Sequence, residues 1–304
     1  MNIQHTIRTQ VLRPKGHFKA CLIRLNSTSS SNLSSVTEFP KGDLKRFIIS
    51  QYANSTPHFD VQLPAWQRMM GENVVNMFGI DMDKVRSGPV GGRVYRDMCK
   101  DQAFYKDDEE LTPRANFYYN TLGLPKTFQQ WFQVDALHIW MLYVRMRAMP
   151  RKYCREFQRK MINAVFEEIG YRLRQDVKVP SDRAINTYKK QFHDQLRGAI
   201  FSYDEGFYTS DAALAAALWR NLFGSQKEVN MSHLEQMVHY IRTQLYVFER
   251  VSDKDFSFGK VGFIEPYYRY DPLTEQDELD IKNIANEARK DERDDQSKLS
   301  TEGW

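Results

Sequence analysis

Residues 210–223 read Ser210-Asp-Ala-Ala-Leu-Ala-Ala-Ala-Leu-Trp-Arg-Asn-Leu-Phe223, and this stretch decides the fold class. The segment Ala212 to Trp219 has no charged residue, and as an α-helix it would be about 12 Å long, at ~1.5 Å per residue. A bilayer-spanning helix needs ~20 apolar residues, so this segment is too short to cross a membrane. We therefore expect it to be buried inside a protein core.

Both ends of this segment carry helix-boundary signals. Thr209 or Ser210 can cap the first amides, and Asp211 suits the positive end of the helix dipole. Gly224 is a typical C-terminal stop. Small alanine side chains let neighbouring helices approach closely, which predicts a helix sandwiched between others. An alanine-lined groove for a client protein is the alternative interpretation.

Helical periodicity continues on both sides of this stretch. Apolar residues recur at three- and four-residue steps in four further segments, and no alternating strand pattern separates them. The sequence predicts an all-α, compact helical domain of about six or seven helices. The predicted long helices are Lys126 to Met149, which is apolar nearly all round and central, Arg151 to Asp176, residues 181–201 capped by Ser181 or Asp182, residues 210–223, and Ser232 to Ser252, with looser helices within 62–118.

The two ends of the 304-residue chain differ in charge from its middle. Residues 1–37 carry five bases, and the first acid in the chain is Glu38. A basic N-terminal segment without acids is typical of a mitochondrial transit peptide, and a disordered basic tail is the alternative. Residues 271–304 are net −6, and the whole chain is +4. We predict a transit peptide at 1–26, a flexible linker at 27–60, a helical domain at 61–270 and an acidic, solvated, partly helical tail at 271–304.

Signatures of catalysis or metal binding are missing from the sequence. The three cysteines are too scattered for a disulfide framework or a zinc site. The most apolar window, residues 134–144, contains Asp135 and His138 and is too short for a membrane-spanning helix. The acidic run 107–110 lacks the spacing of a diphosphate-binding motif. The glycine-rich run 87–93 lacks the ending of a phosphate loop and is interpreted as a bend. We predict no catalytic, metal-binding or cofactor-binding residues.

A cluster of positive charge spans the corner at Pro150. A single acid, Glu156, lies among seven bases there, and such density can attract phosphate in ribosomal RNA or in an anionic membrane surface. A solvated helix face is the alternative. The candidate ribosome- or membrane-binding patch is Arg145, Arg147, Arg151, Lys152, Arg155, Arg159 and Lys160.

Several segments together resemble a known family. They are Leu122-Gly-Leu-Pro-Lys-Thr-Phe-Gln-Gln-Trp-Phe132, Arg145-Met-Arg-Ala-Met-Pro150, Asp204-Glu-Gly-Phe-Tyr-Thr-Ser-Asp-Ala-Ala-Leu-Ala-Ala-Ala-Leu-Trp219, His233-Leu-Glu-Gln-Met-Val-His239 and Arg269-Tyr-Asp-Pro-Leu-Thr274. The chain resembles the ubiquinol–cytochrome c chaperone family over roughly residues 110–275.

This resemblance implies a non-enzymatic mitochondrial chaperone in the matrix, peripheral on the inner membrane. Its implied partners are a small assembly-factor subunit, the mitochondrial ribosome with its RNA, and newly made cytochrome b on its way into the bc1 complex. We hypothesise that an aromatic helix supplies the partner or client surface, through Phe128, Trp131, Phe132, Trp140 and Tyr143. A helical RNA- or membrane-surface adaptor without a client, or an unrecognised all-α enzyme, stays open as an alternative.

Overall fold

Helices make up nearly all of the regular structure in the computed structural model, which describes residues 39–53, 77, 87–106 and 109–287. The all-α prediction is confirmed. The elements are β1 Lys41–Gly42, α1 Leu44–Ala53, a π-helical segment Ser87–Tyr95 leading into α2 Arg96–Lys100, α3 Pro113–Asn116 continued by a π-helical segment Phe117–Thr121, α4 Phe128–Ala148, α5 Arg151–Gln175, α6 Asp182–Thr209, α7 Asp211–Asn221, α8 Met231–Arg250, α9 Asp253–Ser257, β2 Arg269–Tyr270 and α10, residues 275–287.

Helix α4 lies at the centre of the domain, as its all-round apolar sequence predicted. It contacts α2, α5, α6 and α8, and Trp131, Leu137 and Trp140 on three of its sides are all at most 1% exposed. The hydroxyl of Thr127 accepts the first-turn amide of Gln130 at 3.2 Å, which fixes where the helix begins. The long helices α5, α6 and α8 therefore pack around the buried helix α4.

The alanine-rich helix α7 packs between α6 and α8. Ser210 is its N-cap and accepts the Ala213 amide at 3.1 Å. Leu214, Ala217 and Leu218 are buried, whereas Ala212 on the outer side is exposed. The expected sandwich is confirmed for the inner faces of this helix, and its small side chains are covered by helices of the same chain.

The glycine-rich run 87–93 is helical, which corrects its interpretation as a bend. The π-helical segment Ser87–Tyr95 packs along α5. A Cβ atom on Gly91 would lie 3.0 Å from the Phe157 carbonyl oxygen. The glycine therefore allows two helical backbones to touch, and its role is packing.

The described domain extends beyond the predicted limits at both ends. Within the expected linker, β1 pairs in parallel with β2, and Leu44 and Ile48 of α1 are 4% exposed. Within the expected acidic tail, Ile281 of α10 is also buried. Lys45 lies 2.9 Å from Asp277 and 2.7 Å from Asp280, so ion pairs link α1 to α10. The predicted transit peptide, 1–26, lies outside the described residues.

Candidate functional site

The predicted basic patch divides into buried and exposed members. Arg145 is 7% exposed, and its guanidinium donates to the carbonyl oxygens of Phe248 at 2.9 Å and Val251 at 2.7 Å. It also pairs with Asp253 at 2.7 Å. Three protein acceptors therefore use this guanidinium, which joins α4 to the end of α8. Arg145 is a structural residue and is removed from the candidate phosphate-binding set.

Two more members of the patch are partly neutralised by acids. Arg147 pairs with Asp204 at 2.7 Å, and the same carboxylate accepts the Trp140 indole N–H at 2.8 Å. Arg159 lies 2.8 Å from Glu156 one turn earlier on α5, with its own side chain 57% exposed. Exposed pairs of this kind are weak, so Arg159 keeps the freedom to turn toward an anion.

Arg151, Lys152 and Arg155 stay exposed on the first two turns of α5. The ammonium of Lys152 lies 5.3 Å from the Tyr153 ring centroid. Lys160 is half-buried beside the π-helical segment, where its Cβ approaches Gly91. The part of the patch that faces solvent is thus the beginning of α5, together with Arg147 and Arg159.

A groove between α5 and α6 collects part of this charge. Its volume is about 330 Å³, and none of the ten described residues that line it is acidic. Three of them are arginines, and within the described chain Arg155 and Arg197 have no ion-pair partner. The lining consists of Tyr143, Arg155, Gln158, Arg159, Ile162, Asn163, His193, Leu196, Arg197 and Ile200. We call these residues the arginine groove.

Two large aromatic side chains lie exposed on α6, the helix that supplies Arg197 to the arginine groove. Phe201 is 73% exposed and Tyr208 is 79% exposed. Phe201 follows Arg197 by four residues on α6, and Tyr208 follows Phe201 by seven, so all three share one face of the helix. This face of α6 therefore carries two exposed aromatic rings as well as a groove arginine.

The predicted aromatic surface on α4 is largely corrected by the structure. Trp131, Phe132 and Trp140 are at most 1% exposed and therefore belong to the core. A near-continuous apolar helix must be covered on all sides, which leaves these rings no solvent face. Phe128 is half-buried against Phe192, with ring centroids 5.4 Å apart. Only Tyr143 contributes to the candidate site, as part of the groove wall.

Two fully buried titratable groups, His138 and Asp135, lie inside α4. His138 Nδ1 lies 2.7 Å from the Val134 carbonyl oxygen, and Nε2 lies 2.9 Å from the Tyr240 hydroxyl. Burial lowers the pKa of His138 to about 3, so the ring is neutral. Burial likewise raises the pKa of Asp135 to about 8. Neither residue belongs to a group of metal ligands: among the described residues, no three or more histidine, cysteine or acidic side chains lie together in a way that could hold an ion.

Comparisons with known proteins agree with the resemblance found in the sequence. The sequence profile of the family described as "Ubiquinol-cytochrome C chaperone" matches residues 120–263. The chain is 49% identical over 226 residues to "Protein CBP3, mitochondrial" of Saccharomyces cerevisiae, an alignment that covers 74% of this chain and 68% of the yeast protein. The chain belongs to the ubiquinol–cytochrome C chaperone family.

The chain is also similar to animal proteins and to a solved bacterial structure. The "Ubiquinol-cytochrome-c reductase complex assembly factor 1" of Xenopus laevis is 30% identical over 178 residues, covering 58% of this chain and 82% of that protein. The human assembly factor 1 is 34% identical over 139 residues, 43% of each chain. The crystal structure of the Cbp3 homolog from Brucella abortus matches with a TM-score of 0.50 at 16% identity, over 64% of this chain and 97% of that one. That likeness supports the fold alone.

The region shared with the chaperone family contains the whole arginine groove. Residues 120–263 run from before α4 to beyond α9 and include every residue of the groove wall. Arg197, Phe201 and Tyr208 were missed at the sequence level. Their four- and seven-residue spacing was the available signal. The predicted helix ended at Phe201, however, so Tyr208 was not placed on the same helix face. In the described part of the chain, none of the helices has the length and apolarity to cross a membrane.

Proposed function

We propose that this protein is a non-enzymatic chaperone that binds newly synthesised cytochrome b at the mitochondrial ribosome. It supports cytochrome b synthesis and the assembly of ubiquinol–cytochrome c reductase, in complex with a small assembly-factor subunit. The observation that carries this proposal is the 49% identity to a mitochondrial family member across 74% of the chain. The protein works in the mitochondrial matrix, in peripheral contact with the inner membrane.

The exposed beginning of α5 suits contact with ribosomal RNA. Arg151 and Lys152 extend from the first turn of this helix, and both are exposed. Guanidinium and ammonium groups at such a corner meet phosphate oxygens without needing a base sequence, and the attraction depends on salt. Arg145 has no part in this contact, because protein acceptors already occupy its guanidinium.

The basic leader fits the proposed location. Residues 1–26 contain Arg8, Arg13, Lys15, Lys19 and Arg24 and no acid, which suits transfer across a membrane that is negative on the inside. We expect cleavage near Asn26. N-terminal sequencing of the protein recovered from mitochondria tests this directly, and an intact Met1 on the imported form would contradict it.

Affinity capture from mitochondria tests the proposed function. The tagged full chain is recovered gently, and the retained proteins are identified before and after a high-salt wash. We expect cytochrome b, a small helical subunit and ribosomal proteins, with the ribosomal proteins lost at high salt. Recovery of metabolic enzymes or a tightly held cofactor, without cytochrome b, would refute the chaperone assignment.

A pair of matched variants locates the ribosome contact. Arg151→Glu with Lys152→Glu should abolish salt-sensitive ribosome retention while cytochrome b stays bound. Arg183→Glu with Lys227→Glu changes the charge equally at exposed positions elsewhere, and it should retain ribosomes. Equal retention by both variants would remove the start of α5 from the proposal. Ribosome recovery without cytochrome b in the unmodified protein would instead favour an adaptor without a client.

A further inference from the structure

The arginine groove has an unusual combination of charge and apolar surface. Arg155 and Arg159 extend from α5, and Arg197 faces them from α6. Between the two helices, Ile162, Leu196 and Ile200 form part of the floor, and Leu196 is 2% exposed. An anionic group at the arginines would therefore have apolar surface directly beneath it.

The charge of the groove is available to a ligand. None of the described residues that line it is acidic, and among the described residues Arg155 and Arg197 lack ion-pair partners. Of the nearby carboxylates, Glu156 contacts Arg159, Asp204 contacts Arg147, and the exposed Asp194 lies 4.0 Å from the Nδ1 atom of the groove residue His193. Three guanidiniums offer planar forks of donors, a geometry that matches phosphate oxygens in bidentate pairs. The expected ligand therefore contains a phosphate.

Exposed aromatic side chains on the same face of α6 as Arg197 indicate where that phosphate is located. Phe201 and Tyr208 project from the same face of α6 as Arg197, with about three-quarters of each side chain in solvent. Aromatic rings partition to the headgroup level of a bilayer, where one side is apolar and the other is wet. A groove of about 330 Å³ has room for one polar headgroup.

We propose that the arginine groove binds the phosphate headgroup of an anionic membrane lipid, with Phe201 and Tyr208 inserted among the neighbouring headgroups. This inference rests on the peripheral membrane contact in the proposed function and assigns that contact to particular residues. RNA phosphates would satisfy the arginines equally well, but they leave the apolar floor without a partner. The apolar floor and the exposed rings together favour the lipid.

Vesicle co-sedimentation with the full chain tests this proposal. The vesicles contain phosphatidylcholine alone or with roughly one-third phosphatidylglycerol, at about 0.15 M salt, where the Debye length is about 8 Å. We expect binding to the anionic vesicles only. Neutralising three groove arginines with Arg155→Gln, Arg159→Gln and Arg197→Gln should weaken that binding at least about tenfold, because each basic residue near an anionic surface adds to the attraction.

A matched triple variant separates the groove from net charge. Arg183→Gln, Lys227→Gln and Lys282→Gln remove three charges from exposed positions on other parts of the surface, and binding should stay within about twofold of the unmodified protein. Phe201→Ala should weaken binding at constant charge. Equal loss in both triple variants, unchanged binding in the groove variant, or equal binding to neutral vesicles would each overturn the proposal.

Two further readouts distinguish the lipid site from RNA binding and from the chaperone function. A loss of RNA oligonucleotide binding in the groove triple, with vesicle binding intact, would assign the groove to RNA and overturn the lipid proposal. In the affinity capture, the groove triple should retain cytochrome b and the small subunit. If the unmodified protein binds anionic vesicles through the groove but captures no cytochrome b, the lipid site stands and the chaperone proposal fails.

Discussion

Replacing Arg145 with methionine should destabilise the fold by about 3 kcal/mol. The change keeps an unbranched stem of similar reach and removes the guanidinium, which is 7% exposed. Its hydrogen bonds to the Phe248 and Val251 carbonyls, at 2.9 and 2.7 Å, lie at the end of α8. A hydrogen bond to a charged group contributes ~1.5–3 kcal/mol, and two such bonds at the lower value give the expected loss.

The third partner of Arg145 adds little to this magnitude. The side chain of Asp253 is 52% exposed, so water can replace the guanidinium there. For a domain of this size, a loss of 1 kcal/mol in the free energy of unfolding lowers Tm by roughly 2–4 °C. The Arg145→Met variant should therefore have a Tm about 6–12 °C lower. Urea unfolding, followed by far-UV circular dichroism, gives the free energy of unfolding directly.

Arg151 provides the control for this experiment. It lies six residues later in the same charged cluster but is exposed at the start of α5, and Arg151→Met should stay within about 0.5 kcal/mol of the unmodified protein. If Arg145→Met were equally stable, the guanidinium would not be holding α4 to the end of α8. Arg145 would then return to the candidate surface patch.

Two further predictions concern buried positions. Burial raises the pKa of Asp135 from 3.8 to about 8, so the folded state is stabilised by the protonated carboxyl and loses stability as pH rises from about 4 to about 8. The Asp135→Asn variant cannot ionise there, so its free energy of unfolding, measured by urea titration, should fall less over this pH range than that of the unmodified protein. A steeper pH dependence in the variant would contradict this. A Cβ on Gly206 would lie 2.8 Å from the Leu214 Cα, so Gly206→Ala should cost about 2 kcal/mol by thermal unfolding. Gly198 lies on the same helix, but a Cβ there would meet no atom within 4 Å, so Gly198→Ala should stabilise the fold by about 0.5–1 kcal/mol. Equal effects of the two glycine-to-alanine changes on the free energy of unfolding would refute the steric argument.

Local signals were enough to predict the long helices. Ser181 and Ser210 act as N-caps through their own side chains, accepting amides three residues later at 3.2 and 3.1 Å. The apolar period of α4 and α5 depends only on neighbours along the same helix. Such features lie within a few residues of sequence, so the predicted starts of the long helices match the structure closely, whereas the predicted end of α6 at Phe201 falls short of Thr209.

Two glycines have a tertiary role that the sequence alone does not show. Gly206 lies in the part of α6, up to Thr209, that extends beyond the predicted end at Phe201. In the structure this glycine lets the backbones of α6 and α7 meet at their corner. Gly91 plays the same part against α5. A single sequence does not distinguish a glycine that ends a helix from one that allows another helix to approach.

The candidate site depended on contacts between distant parts of the chain. Charge density along the sequence correctly located the corner between α4 and α5, but it grouped the buried Arg145 with the exposed Arg155. Arg197 joins Arg155 only because α6 packs antiparallel against α5 after the turn at 176–181. Burial and partner choice are properties of the packed structure, and linear composition does not contain them.

The parallel pairing of β1 with β2 determines when this protein can finish folding. Lys41 and Asp271, which bond beside that ladder, are 230 positions apart, so almost the whole domain must be available before the two ends can meet. Leu44 and Ile48 of α1, which follows β1 closely along the chain, are buried in the folded domain. Until the chain around β2 is available, β1 has no strand to pair with, so this end of the domain closes through a late, long-range step.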